Sequence, residues 1–371
     1  MSRLQKISCE VEFITPAFLG NATQQGQWRV PPFKALLRRW WRILKAQACN
    51  YDWQQLREEE GLLWGNAFLE RPHLRGRKNG HQRSLIELRL QHWDGGELGE
   101  QDWGNAVRLG TVAPRPRHNE QRIPVALYLG YGPVDQRTRH LHRERAPAIN
   151  AGEKQRLQCM LRPASRLMGR DALQELQRTL QLVSFFGSIG SRCNNAWGSL
   201  QLHGSDLQQV EEWPARPWEE CLMDDFGGTG GWPHALGRDQ QALLIWHTRP
   251  TGDWQDVMNR LAQVLANMRD IAKRKKGPGL TGVFLLGYPV QGPHAIRNLP
   301  REARWASQMR MKVQRLADGR FRGLVYHLPH MPPRPLWQRL DAAQRAWVQR
   351  NQQGIWQQIH DWLDDNLQRL S

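Results

Sequence analysis

The stretch that most constrains the fold is "RDALQELQRTLQLVSFFGSIGSRCNNAWGSLQL", residues 170–202. Leu173, Leu176, Leu180 and Val183 recur at helical spacing. Leu200 and Leu202 then alternate with polar residues, as on a strand. Between them lies a glycine-rich loop, so the order is helix, loop, strand. A dinucleotide fingerprint or a P-loop needs strand, loop, helix, so that the helix N-terminus faces the phosphate. No G-K-[ST] follows the glycines. The loop is therefore read as a place where a polymer backbone approaches closely, and no nucleotide cofactor is expected.

Periodicity along the rest of the chain predicts an α+β fold. "LQKISCEVEFITP" turns Ile7, Cys9, Val11 and Phe13 to one side, a first strand. "PFKALLRRWWRILKAQA" is a regular helix with Pro32 near its start, where a missing N–H is tolerated. "WQQLREEEGLLWG" predicts a second helix ending at Gly65. "SLIELRL", "IPVALYLGY" and "RLQCMLRP" predict strands, and residues 71–83 and 134–155 predict basic loops. Later, "QALLIWHT", "TGVFLLGYP", "SQMRMKVQRL" and "FRGLVYHLP" read as strands around a long helix that starts at Trp254. A closing helix is expected to break near Gly354. Runs of strands separated by helices favour antiparallel sheets over a doubly wound one. The expected division is 1–203 and 204–371.

Charge names the class of partner. Lys and Arg total 52 against 35 acidic residues in 371, a formal net charge of +17. That imbalance calls for an anionic partner, and nucleic acid is the usual one. No apolar run is long enough to cross a bilayer, and the N-terminus lacks an apolar signal-peptide core. The expectation is a cytoplasmic protein with no membrane partner. Five scattered cysteines without a C-x-x-C pair read as free thiols, and no metal site is expected.

On a helical wheel Phe33, Leu36, Leu37, Trp40, Ile43 and Leu44 share one face. Lys34, Arg38, Arg42 and Lys45 line the far side, with Trp41 at their border. No acidic residue occurs anywhere in 29–48. Like charges at i,i+4 repel, so an external anion is expected to compensate this stripe. In the loop, Gly187, Gly190 and Gly198 leave backbone N–H groups open to phosphates. Arg192 offers a fork for phosphate, Asn194 and Asn195 offer bonds to base edges or 2′-hydroxyls, and Trp197 offers a stacking surface. Arg310 and Lys312 alternate with Met309, Met311 and Val313, predicting a strand with one basic face. The chain carries 18 tryptophans, and composition alone cannot sort stacking rings from core. For catalysis the sequence is thin. A metal-independent ribonuclease needs a histidine acid or base, for which His140, His142 and His327 are the candidates.

With these residues assembled, the chain resembles the RAMP superfamily of CRISPR systems, and within it the Cmr-module effector subunits of type III-B complexes. "ITPAFLGNATQQGQWRVPPFKALLRRWWRIL" is similar to the signature T-P-x-F-L-G, R-x-P-x-x-K, R-x-W-W-R. "FFGSIGSRCNNAWGSL" is similar to the family's glycine-rich loop, and "RWASQMRMKVQRL…LVYHLP" to a late strand pair. The resemblance implies two ferredoxin-like (RRM-like) units. It implies a non-catalytic subunit that holds guide RNA near its 3′ end, and its duplex with target RNA, alongside other effector subunits. Lys34, Arg38, Trp41 and Arg42 fall on the first motif; Gly187, Gly190, Arg192 and Gly198 fall on the loop. The chain departs from the pattern at Ala35 and Ser188, where glycines are usual, and at Asn194 and Asn195, where basic residues are usual. Two other readings stand beside this one: a metal-independent endoribonuclease of the same superfamily, and a basic subunit that binds protein only.

Overall fold

A computed structural model describes residues 5–66, 81, 83–114, 122–162, 171–204, 212–224, 231–288 and 304–370. Most of the expected basic loop 71–83 lies outside the described residues. Contacts divide the chain into two units. One comprises 1–101, 143–191 and 197–214; the other comprises 102–142, 192–196 and 215–371. The expected division at 203/204 differs in segments 102–142 and 192–196, which go with the second unit, and in 204–214, which goes with the first. A side excursion of this kind leaves no compositional mark. It is fixed by contacts such as the Gly110 amide donating to Asn259 Oδ1 at 2.9 Å.

The first unit holds β1 (Gln5–Phe13), α1 (Val30–Ala46), α2 (Trp53–Trp64), β2 (Ile86–Leu90), β3 (Lys154–Leu161), α3 (Ala172–Phe186) and β4 (Leu200–His203). The sheet order is β2-β3-β1-β4, and every neighbouring pair is antiparallel. Alternation is the cause: Ile7, Cys9, Val11 and Phe13 of β1 are buried, while Lys6 and Glu10 are exposed. Asp52 and Asp171 cap α2 and α3 by accepting from the amides of Gln55 and Gln174. α1 meets α3 through Trp40 stacked on Phe186, ring centroids 5.1 Å apart.

The second unit holds β5 (Ile245–His247), α4 (Trp254–Lys273), β6 (Met309–Arg315), β7 (Phe321–His327), α5 (Ala342–Asn366) and β8 (Gln368–Arg369). Its sheet order is β6-β7-β5-β8, again antiparallel throughout. Set aside α2 and the shorter elements of the second unit, which include one parallel pair, Ala215–Pro217 with Leu236–Arg238, and the four-stranded sheet of each unit arises from strand, helix, strand, strand, helix, strand with the same spatial order. The fold is therefore α+β with antiparallel sheets. Among the described residues no helix is long and apolar enough to cross a membrane.

Three expected elements differ. "IPVALYLGY" forms only the two-residue strand Ile123–Pro124 before a short helix, Val125–Gly130. Pro124 sits at the helix N-cap, and Val125, Ala126 and Leu129 are buried at i, i+1, i+4. "TGVFLLGYP" forms a 3₁₀ turn over Gly282–Leu286 instead of a strand. α5 runs unbroken through Gly354; the break falls earlier, where Asp341 and Gln344 form a capping box.

The core of the second unit is a ring cluster. His327 and His360 are 0% and 1% exposed, and their Nδ1 and Nε2 atoms lie 3.0 Å apart. The Trp356 ring is 4.2 Å from that of His327. Burial, with His360 and His330 nearby, holds His327 well below the usual imidazole range. Burial, assisted by Arg369, pulls His360 down to about 3; burial likewise pulls His330 to about 3. Their unfolded values lie near 6.5. The folded state thus binds fewer protons, so this stability is present above about pH 6.5 and is lost as pH falls toward 3. Chemical denaturation is expected to show stability falling with a steady slope as pH drops from about 6.5 to 4. His360→Gln should flatten that slope.

Candidate nucleic-acid interface

α1 places its basic residues as the wheel predicts, but their neighbours differ from expectation. Arg38 Nε and Arg42 Nε pair with the two oxygens of Glu60 on α2, at 2.7 and 2.9 Å. Lys45 Nζ pairs with Glu175 of α3 at 2.9 Å. The acids lie outside the local window, so a reading of 29–48 could not see them. Trp41 is 0% exposed and donates from Nε1 to Glu175 at 3.1 Å. It is a core ring in this arrangement, not a surface for a base. Its place beside the basic arc reflects the wide apolar face that α2 and α3 together cover.

Of the four residues of the basic stripe, Lys34 is the exception. It makes no ion pair among the described residues. Burial, and then the charge of Arg38, lower its pKa, as expected for a half-buried cation without a counter-ion. Lys34 overlooks a shallow groove lined by Val30, Ile86, Met160, Arg83, Glu87 and Arg89. Glu87 is already engaged by Arg83 at 3.2 Å and by Arg162 at 2.5 Å. Arg89, exposed on edge strand β2, makes no ion pair among the described residues. The groove therefore leaves two cations uncompensated on an apolar floor.

The glycine loop is built for packing. Gly198 has φ +63°, and a Cβ there would stand 1.9 Å from the Ile189 carbonyl oxygen. Gly190 has φ +98°, and a Cβ there would stand 2.8 Å from the Phe18 carbonyl oxygen. Of the three glycine amides expected to face phosphate, those of Gly187 and Gly198 bond to protein carbonyls, as do those of Ile189 and Ser191 beside them. Gly187 donates to Val183, Ile189 to Gly198, Ser191 to Phe18 and Gly198 to Pro16, at 2.7–3.1 Å. Trp197 is 0% exposed and packs on Phe18, centroids 5.2 Å apart.

The loop tip goes with the second unit. Asn195 Nδ2 donates to the Leu129 carbonyl at 2.9 Å, and Asn194 Oδ1 accepts from Arg310. Each side-chain amide thus engages protein through one of its two polar atoms. Arg192 is exposed, and its Nε donates to the Tyr131 carbonyl at 2.6 Å.

Strand β6 corrects the last expectation. Both of its faces are buried: Arg310 is 6% and Lys312 0% exposed. Burial lowers Lys312 well below the usual amine range. Alternation of apolar and basic residues read as a half-exposed strand, yet side chains with long apolar stems can also fill a covered face. His327 is equally enclosed, whereas His140 is exposed and His142 partly so.

Sequence reasoning missed the exposed aromatics. Trp93, Trp232 and Tyr131 are 54%, 45% and 40% exposed. The outer face of the first sheet offers no substitute. It presents Lys6, Glu10, Lys154, Arg156 and Gln158, with Lys154 paired to Glu10 at 3.1 Å. Among the described residues this face bears no Phe, Tyr or Trp.

Two substitutions check this geometry. Gly198→Ala should cost about 3 kcal/mol or more, because both φ and the Ile189 carbonyl oppose a side chain. Glu60→Gln should cost about 2 kcal/mol, discounted for the partial exposure of Arg38. Urea unfolding of each variant reads both numbers.

No protein-family model matches the chain, and no curated protein matches it. Among solved structures, it is similar to the apo crystal structure of Cmr1 from Pyrococcus furiosus. That match has 14% identity, covers 88% of each chain and has a TM-score of 0.43. It is also similar to a chain of the type III-B Cmr-beta complex bound to cognate target RNA. Here identity is 10%, coverage is 95% of this chain and 100% of that one, and the TM-score is 0.44. A second state of that complex, with AMPPnP and single-stranded DNA present, matches with the same identity and TM-score over 95% and 99% of the two chains. The chain is thus similar to subunits of the Cmr module of type III-B effector complexes.

Proposed function

We propose that this chain is a non-catalytic RNA-binding subunit of a type III CRISPR ribonucleoprotein. In this reading it acts in the cytoplasm with other effector subunits and holds the 3′ region of guide RNA and its duplex with target RNA. The observation that carries the proposal is the pair of uncompensated cations, Lys34 and Arg89, flanking the groove beside α1. A phosphate is the natural counter-ion for two such charges, and a chain of net charge +17 supplies the surrounding field. Backbone contacts of this type position a polymer without reading its sequence. The motifs at 14–44 and 185–200 support the family reading, and the shared strand order of the two sheets supports ferredoxin-like units.

Single-stranded RNA binding, followed by anisotropy across a salt series, tests this. Affinity should fall steeply with salt, with a log–log slope of about −0.7 for each phosphate neutralised. Lys34→Glu with Arg89→Glu should weaken binding and make the slope shallower by about 1.4. Salt-insensitive binding, or an unchanged slope in the double variant, would sink the groove assignment. Cleavage of repeat RNA in EDTA, lost on His140→Ala or His142→Ala, would replace the proposal with the endoribonuclease reading.

A further inference from the structure

The short helix Val125–Gly130 buries Val125, Ala126 and Leu129. Two tyrosines are left toward the surface: Tyr128 partly exposed, and Tyr131 exposed just past the helix end. Each has an arginine in cation–π range. The Arg192 guanidinium carbon is 6.0 Å from the Tyr131 ring centroid, and that of Arg269, on α4, is 5.0 Å from the Tyr128 ring centroid. Arg192 is further fixed by its bond to the Tyr131 carbonyl. Its own backbone sits at φ +60°, a left-handed conformation that costs free energy in a non-glycine residue. The protein thus holds an arginine in a strained position beside an exposed ring.

Two further cations follow in the sequence. Arg137 and Arg139 are exposed on the turn that follows. The carboxylate of that turn, Asp135, accepts through Oδ1 from the amides of Arg137 and Thr138 at 2.8 and 2.7 Å. A ligand for this surface must offer a flat π face and carry negative charge close to it. An unpaired nucleotide meets both demands: the base stacks on the ring, and the adjoining phosphate meets guanidinium.

We propose that Tyr131 and Arg192, with Tyr128 and Arg269 beside them, form a stacking site for an unpaired base of single-stranded RNA. This rests on the RNA-binding reading above and extends it to residues that reading does not use. Sequence tolerance is expected, since every base has a π face.

The test uses the full chain and a short single-stranded RNA carrying 2-aminopurine, whose fluorescence is quenched on stacking. The same oligomer with one abasic position serves as control. Tyr131→Phe should keep affinity and quenching. Tyr131→Leu, which retains apolar bulk, should lose the quenching and weaken binding about tenfold. Its affinity for the abasic oligomer should equal that of the unmodified protein. Matching thermal midpoints establish that the variants are folded. If Tyr131→Leu binds and quenches as the unmodified chain does, the stacking site is overturned while the RNA reading stands. If the unmodified chain binds neither oligomer, both fall. Loss of a protein partner in Tyr131→Leu, with quenching intact, would make this a protein-docking surface and overturn the inference.

Discussion

The arrangement of the first unit depends on a clasp between the segment leaving β1 and the glycine loop. The Ile14 amide donates to the Ser199 carbonyl at 2.7 Å, and the Gly198 amide to Pro16 at 2.8 Å. Ser191 donates to Phe18 at 3.1 Å, and Ser199 to Thr15 Oγ1 at 3.0 Å. Two backbones approach so closely that no side chain fits at Gly190 or Gly198. This gives the two motifs a common physical cause. Thr15, Pro16 and Phe18 of the first are the partners of the glycines and serines of the second. The loop's glycines serve protein packing, and the amides of Gly187, Ile189, Ser191 and Gly198 are committed to protein acceptors.

That commitment moves the electrostatic weight elsewhere. On α1, two carboxylates, Glu60 and Glu175, neutralise part of the basic stripe and anchor the helix to its neighbours. A buried carboxylate between two guanidinium groups fixes where those arginines point. Charge left over beside the groove lies at the N-terminal end of α1, at Lys34, and on the sheet edge at Arg89. In the second unit the basic residues of β6 are enclosed, and exposed cations cluster near Tyr128 and Tyr131. Charge on the sequence is therefore a poor map of charge at the surface. Each unit exposes a smaller and more local basic site than its composition suggests.

The two sheets share one strand order despite different surroundings. In the first, one face is covered by α1 and α3 and the other is polar and open, so alternation reads cleanly. In the second, β6 is buried on both sides, and its centre is a cluster of neutral histidines and tryptophans. A pairing of His327 with His360 at 3.0 Å needs at least one neutral ring to accept the bond, which ties that core to pH.

The sequence by itself determined the local elements of this protein. β1, α1, β3, α3, β6 and β7 follow from the spacing of their apolar residues, and the net charge follows from composition. The wheel of α1 correctly separated Phe33, Leu36, Leu37, Trp40 and Ile43 from Lys34, Arg38 and Arg42. Where a proline or an aspartate cap outweighed a short apolar run, as at Pro124 and Asp341, the local pattern misled. Only the tertiary structure decided which charges are paired, which rings are exposed and which glycines are jammed. Glu60 and Glu175 reach α1 from other helices, Trp41 and Trp197 are covered, and Tyr131 emerges from a stretch that reads as a strand. Periodicity reports one residue's relation to its own axis, whereas burial and pairing belong to contacts between segments far apart in the chain.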